Sequence, residues 1–320
     1  LGFRVAVTGC AGFIGSHLVD DLLDGGVEVI GIDNLSSGSM ANLASSKDDE
    51  DFTFIKGDIL SEEDLEEALT DVDTVYHLAA NPDVRAGVTD TQTHLNQNIL
   101  GTFNVLEMMR KKKIKTISFT STSTIYGEAS KIPTPENYGP LVPISLYGSS
   151  KLACEAMISS YCYLFNMRSF VFRFANVVGA RSGHGVIHDF ISKLEKDNSR
   201  LEILGVSPGT LKSYCHISDC IAAILIVEKT CNETVGIYNI GSRDVLDVKS
   251  IADIVCRAMN LDKVKYVWTG GVDGGRGWPG DVKKMQLSIE KIISEGWKPM
   301  MSSEQSVRMA ARELIREKFG

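Results

Sequence analysis

Residues 3–15 read FRVAVTGCAGFIG. A short apolar, β-prone run breaks into a glycine loop, and from Phe13 to about Asp24 the apolar residues recur at helical spacing, so the stretch predicts strand, tight turn and helix. Gly9, Gly12 and Gly15 stand directly after the strand and into the helix. That placement suits a tight turn, close backbone approach to a pyrophosphate and close helix-to-strand packing, with the helix N-terminus offering N–H groups and positive dipole. A glycine pattern alone is weak; the strand before it and the helix after it give it weight.

Working outward, VEVIGID (27–33), FTFIKGD (52–58), TVYHLAA (74–80), TISFTS (116–121) and SFVFRFAN (169–176) are further short apolar runs separated by helical stretches. Runs without a polar face are strands buried on both sides, and their alternation with helices predicts an α/β fold, a doubly wound parallel sheet of Rossmann type. After residue 176 the alternation becomes irregular. Glycine-rich connections at 179–185, 205–209 and 270–280 separate shorter elements, as in a smaller C-terminal α/β region that supplies a ligand-facing wall. SEED (61–64) reads as a helix start of the capping-box kind, SSEQ (302–305) as the start signal of an amphipathic C-terminal helix, and KKKIK (111–115) as a solvated helix terminus.

With 320 residues, 43% of them hydrophobic, the chain can bury a large core. A net charge of -8 argues against nucleic acid or an anionic membrane as partner and leaves a small molecule. No apolar run has the length of a membrane span and no charged leader precedes the first strand, so the expectation is a soluble cytoplasmic protein. The seven cysteines are irregularly spaced in apolar segments and read as reduced, buried thiols. His184 and His188 are four apart, but glycines flank the first, so no metal site is expected. His17 and His77 read as structural groups, while Trp268, Trp278 and Trp297 could be core or cleft wall.

Asp33 ends the second strand, where a carboxylate accepts from the ribose hydroxyls of an adenosine and repels a 2′-phosphate. No lysine or arginine follows in NLSSGSMANLASS, so NAD is expected rather than NADP. Asp58 either faces the adenine edge or closes a turn. In ISLYGSSKLACEAM (144–157), Tyr147 and Lys151 lie four apart on one helical face. The ammonium, together with a cationic nicotinamide, would lower the phenol toward working pH and make Tyr147 a general base. That spacing is common by chance. FTSTSTIYG (119–127) adds hydroxyls at the C-terminal end of a central strand, with Thr122 the candidate to hold a substrate oxygen, although some of these hydroxyls would only satisfy turn backbone.

Taken in order, TGCAGFIG, Asp33-Asn34, HLAAN, STSTIYG, YGSSK, FRFANVVG and GRGWPGD resemble the extended short-chain dehydrogenases/reductases of the NAD-dependent epimerase/dehydratase family, over essentially the whole chain and most closely its archaeal-type UDP-glucose 4-epimerase branch. The resemblance implies tightly held NAD, a nucleotide sugar (UDP-glucose or UDP-galactose) and a homodimer packed through helices. It implies an NAD-binding Rossmann domain over 1–175, with 219–245 returning to it, and a nucleotide-sugar region over 176–320. Thr122, Tyr147 and Lys151 would be catalytic. The cofactor would meet Gly9, Gly12, Phe13, Ile14, Gly15, Asp33, Asn34, Ser37, Gly38, Asp58, Ile59, Leu78, Ala79, Ala80, Asn98, Ser121, Tyr147 and Lys151. The substrate would meet Thr122, Tyr147, Asn176, Val186, Ile187, Leu204, Lys212, Arg276 and Asp281.

Three positions depart from the family pattern: Lys212 replaces an arginine, Arg276 is offset in spacing before Gly280-Asp281, and Leu204 replaces an aromatic. Dehydratases and decarboxylases of the family use an acidic residue after the catalytic hydroxyl, where this chain has Ser123 and Thr124. The expected reaction is therefore C4 epimerisation. Another nucleotide-sugar epimerase, a 4,6-dehydratase or decarboxylase, and a non-catalytic NAD-binding regulator are the alternatives.

Overall fold

The computed structural model describes residues 3–320. Its first elements are β1 (Arg4–Thr8), α1 (Phe13–Asp24), β2 (Glu28–Asp33), β3 (Phe52–Lys56), α2 (Glu62–Ala68), β4 (Thr74–His77), α3 (Ala86–Thr89), a π-helical turn (Leu95–Leu100), α4 (Gly101–Lys112), β5 (Thr116–Thr122), α5 (Leu146–Phe165) and β6 (Arg168–Phe174). There follow β7 (Asn176–Val178), α6 (Val186–Lys196), β8 (Arg200–Ile203), β9 (Leu211–Lys212), β10 (Tyr214–His216), α7 (Ile217–Thr230), β11 (Val235–Ile240) and β12 (Leu246–Asp247). The chain ends with α8 (Val248–Ala258), β13 (Lys265–Trp268), β14 (Lys284–Met285), α9 (Glu290–Ser294) and α10 (Ser303–Phe319).

Every apolar run named from the sequence became a strand of one seven-stranded parallel sheet, ordered β11-β6-β5-β4-β1-β2-β3. Its register decides where chemistry can gather. Thr8 lies opposite Ile32 on one side and His77 on the other, and His77 lies opposite Phe119. The glycine loop, Asp33, Leu78 and Thr120–Thr122 therefore leave the sheet along the same carboxyl edge, where open α/β sheets bind ligands.

The chain divides into two units. The first holds the described residues through Thr122 with Leu146–Arg173 and Ile224–Tyr238; the second holds Ser123–Ser145, Phe174–Ala223 and Asn239–Gly320. Val75, Ile117 and Phe119 of the strands pack with Leu106 and Met109 of α4 and Ile158 of α5 in the core of the first. In the second, Phe190 and Leu194 of α6, Ile251 and Val255 of α8 and Val307 and Leu314 of α10 form the core. Asn239 ties 123–145 into that unit: its side chain accepts from Tyr126 Oη (2.8 Å) and donates to Thr134 O (2.9 Å), while its N–H donates to Glu136 Oε1 (2.9 Å).

Helix ends show what spacing can and cannot say. Ser302 and Gln305 form the complete reciprocal box at the start of α10. At α2 only half of it exists. Ser61 Oγ accepts from Asp64 N, but the Asp64 carboxylate turns to Asp58 N (2.7 Å), because the aspartate stem is one methylene shorter than the glutamate of a full box. The lysine run is structural: Lys111 pairs with Glu62, Lys112 Nζ donates to Thr70 and Lys115 Nζ to Phe165 O, and Lys113 closes α4 at φ 61°. All seven cysteines are buried and unbridged, and no helix among the described residues is long and apolar enough to cross a membrane.

Candidate active site

The glycine loop is held by geometry that larger residues could not adopt. Gly9 has φ +73°, and a Cβ on it would stand 2.8 Å from Ala79 N; a Cβ on Gly15 would stand 2.1 Å from Gly9 O. Gly12 is the N-cap of α1, with Phe13 and Ile14 in the first turn. Asp33 binds this loop directly: Oδ2 accepts from Ala11 N (3.0 Å) and Oδ1 from Leu35 N (2.8 Å). Each carboxylate oxygen keeps a further lone pair for a ligand hydroxyl. Gly38 must be small, since its Cβ would meet Ala11 at 2.8 Å and Asp33 Oδ2 at 3.0 Å, and Ser37 before it is exposed. A cradle that added methyl groups would fill, with a half-satisfied carboxylate at its edge, fits a dinucleotide.

Around it, Thr8 Oγ1 accepts from Leu78 N (3.2 Å) and Ala79 N (3.1 Å), which fixes the turn through Ala80. His77 is bonded at both ring nitrogens, to Thr8 (2.8 Å) and Thr102 (2.9 Å). Burial and then the Lys151 charge push its pKa down to about 3, so it is a neutral structural group, as the sequence suggested. Asp58 closes a turn by accepting from Leu60 N and also takes a hydrogen bond from Asn34 Nδ2 (2.9 Å). Ile59 packs into the core of the first unit.

Tyr147 and Lys151 occupy the first turns of α5. Lys151 is buried; its Nζ donates to Thr120 O (2.9 Å) and lies 4.7 Å above the Phe119 ring. Burial pulls the ammonium down to about 8, against Cys154 and Glu155, which raise it. The Tyr147 phenol is hydrogen-bonded to Thr122, two residues beyond the Thr120 carbonyl that Lys151 holds. The sequence led us to expect a phenol lowered by its lysine together with a cationic nicotinamide. In the chain alone burial outweighs everything else and pushes it up to about 12, the Thr122 bond acting in the opposite direction.

The sequence reading missed the groups that brace this trio. Asn98 accepts from Asn81 N (2.8 Å) and donates to Ser150 Oγ (2.9 Å), which donates to Tyr147 O (2.8 Å). Asn98, expected against the cofactor, is also a brace within the protein. The His94 ring lies edge-on to Tyr147, centroids 5.7 Å apart. Glu155, one turn beyond Lys151, accepts from Ser121 Oγ and pairs with the buried Arg173 (2.7 Å). The helical spacing of Glu155 from Lys151, and a lone arginine inside the apolar strand SFVFRFAN, were the available signals.

All expected cofactor residues and Thr122, Tyr147 and Lys151 belong to the first unit, and the remaining substrate candidates to the second. There Lys212 Nζ pairs with Asp281 (2.6 Å) and lies 5.4 Å from the Trp278 ring centroid, while Asp281 also accepts from Gly277 N (3.2 Å). A Cβ on Gly277 would lie 3.5 Å from Leu204 Cβ, so Leu204 adjoins this group. Arg276 pairs through Nη2 with Glu128 (2.8 Å), whereas its Nη1 and Trp278 Nε1 are buried without a partner. Unpartnered buried donors of this kind suit a polar ligand. Asn176 Nδ2 donates to Ser213 O (3.1 Å). Val186 and Ile187 open α6, and Ile187 is buried in the core of the second unit. His184 precedes that helix, so it shares no helical face with His188.

Comparison with known proteins agrees with this geometry. Residues 5–241 match the family described as NAD dependent epimerase/dehydratase. A putative UDP-glucose 4-epimerase of Methanocaldococcus jannaschii is 34% identical over 311 residues, covering 95% of this chain and 96% of the relative. A crystal structure of a UDP-galactose 4-epimerase is 38% identical with a TM-score of 0.87, covering 98% and 99% of the two chains. The UDP-glucose 4-epimerase of Thermus thermophilus in complex with NAD is 29% identical with a TM-score of 0.85, covering 97% and 98%.

Proposed function

The chain belongs to the NAD dependent epimerase/dehydratase family, with NAD as its cofactor, and we propose that it interconverts UDP-glucose and UDP-galactose by inverting C4. The observation that carries this reading is the hydrogen-bonded pair of Tyr147 and Thr122 beside buried Lys151, followed by Ser123 and Thr124 where a dehydratase needs a carboxylic acid. NAD, when bound, supplies a reversible hydride acceptor and a positive charge.

Thr122 holds the sugar 4-oxygen and Tyr147 takes its proton, then returns it when the 4-keto sugar has turned over. Lys151 holds the nicotinamide ribose and favours the phenolate by its charge. Arg276 Nη1, Trp278 Nε1 and Lys212 serve the diphosphate, and Asn176 and Asp281 orient the nucleotide. Lys212 gives Asp281's partner charge without the fork an arginine would add. A cytoplasmic homodimer completes the reading, with light scattering as its check.

The deciding experiment incubates purified protein with UDP, GDP and dTDP sugars, without added reductant, and resolves products by proton NMR. UDP-glucose and UDP-galactose should each yield a mixture of both. A 4-keto-6-deoxy sugar would instead establish dehydration, and unchanged sugars across the set would remove the proposal.

A further inference from the structure

Glu155 and Arg173 are charged, buried and touch none of the groups assigned to substrate or cofactor except Ser121. The Glu155 carboxylate is fully engaged: Arg173 Nη2 donates to Oε2 (2.7 Å), Arg173 Nε approaches both oxygens (3.1 and 3.2 Å), and Ser121 Oγ donates to Oε1. Side-chain exposures of 5% for Arg173 and 6% for Glu155 put the pair out of water. Buried ion pairs contribute little net stability over apolar packing, so stability alone is a poor reason for this one. Its position offers a better reason. Glu155 lies on the Lys151 face of α5, one turn on, and Ser121 immediately precedes Thr122 at the end of β5.

We propose that Glu155 is a positioning residue for the Tyr147–Lys151 pair: clamped by Arg173, its carboxylate holds Ser121 at the end of β5 and supplies the negative charge that keeps Lys151 an ammonium. The groups acting on or beside Lys151 are His77 of β4, His94 ahead of the π-helical turn, Tyr147, Cys154 and Glu155 of α5, and, through Glu155, Arg173 of β6. Burial keeps His77 neutral, lowers His94 and raises the Cys154 thiol, which donates to Asn98 O (3.4 Å). Glu155, one turn on from Lys151 and paired with Arg173, is the carboxylate that raises the ammonium.

The inference rests on the proposed roles of Tyr147 and Lys151, and its test is separable from the sugar chemistry. NAD affinity is measured by calorimetry from pH 6 to 9.5, alongside the pH dependence of turnover. Lys151 holds the cofactor as an ammonium, so affinity is present at low pH and falls as pH rises through its titration. Glu155→Gln should move that fall downward by about one pH unit. Glu155→Asp, which keeps the charge on a shorter stem, should leave it at the wild-type pH even where affinity and turnover drop. A purely structural Glu155 would lower affinity in both variants with the wild-type pH dependence. That result, or a downward shift in Glu155→Asp, overturns the proposal. A wild-type protein that binds NAD but converts no sugar overturns the reaction instead and leaves this test standing.

Discussion

At the scale of single residues the site is a contest between burial and charge. Tyr147 is pushed up to about 12 and Lys151 down to about 8, and burial is the leading cause in both. In the proposed reaction the tyrosine becomes a base only when cationic charge favours its phenolate, which would couple proton transfer to cofactor binding. Tyr147→Phe removes the transferable proton and leaves the ring against His94. Turnover should fall by roughly a hundredfold or more, while calorimetric NAD affinity changes little; undiminished turnover would refute the role. Gly15→Ala should act in the reverse sense. Its methyl would collide with Gly9 O at 2.1 Å, so the loop must shift and NAD affinity should drop by roughly tenfold or more, while any turnover at saturating NAD is retained. Tyr147, Lys151 and Thr122 could be proposed from the sequence because the proposed chemistry restricts the residue types at those positions. Glu155, His94 and Ser150 were harder to see, since spacing within one helix places Glu155 on the Lys151 face but does not give their partners on β5, β6 and the π-helical turn.

Elements were read with success in proportion to how local their causes are. Strands buried on both faces need continuous apolar runs, and the register then delivered the glycine loop, Asp33 and Thr122 to one edge. Helix caps are equally local, yet α2 and α10 diverge: Gln305 reaches back to Ser302 N, whereas Asp64 finds Asp58 N first. Ser302→Ala should cost about 1 kcal/mol of stability, seen as a lower urea midpoint without change in NAD affinity, because α10 packs in the core of the second unit. The excursion at 123–145 had no such local signature. Its place is fixed by Asn239, more than a hundred residues away, through Tyr126, Thr134 and Glu136.

The whole molecule carries a pH dependence of stability unrelated to catalysis. Glu228 of α7 accepts from Tyr76 Oη of β4 (2.5 Å), and its second oxygen is buried without a partner. Burial pushes the carboxyl up to about 7, with the Tyr76 and Ser118 hydrogen bonds acting the other way. An unfolded glutamate titrates near ~4.3, so the native state binds the proton more tightly than the unfolded chain. The stabilisation is therefore complete below about pH 4 and is lost as pH rises through about 7. Glu228→Gln keeps an acceptor for Tyr76 and removes the titration. Urea unfolding at pH 4 should give the variant and the wild type comparable stability, and at pH 8 the variant should lead by on the order of 2 kcal/mol. A stability difference that stays constant between those pH values would show that Glu228 keeps its charge in the folded protein, with Tyr76 and Ser118 outweighing its burial.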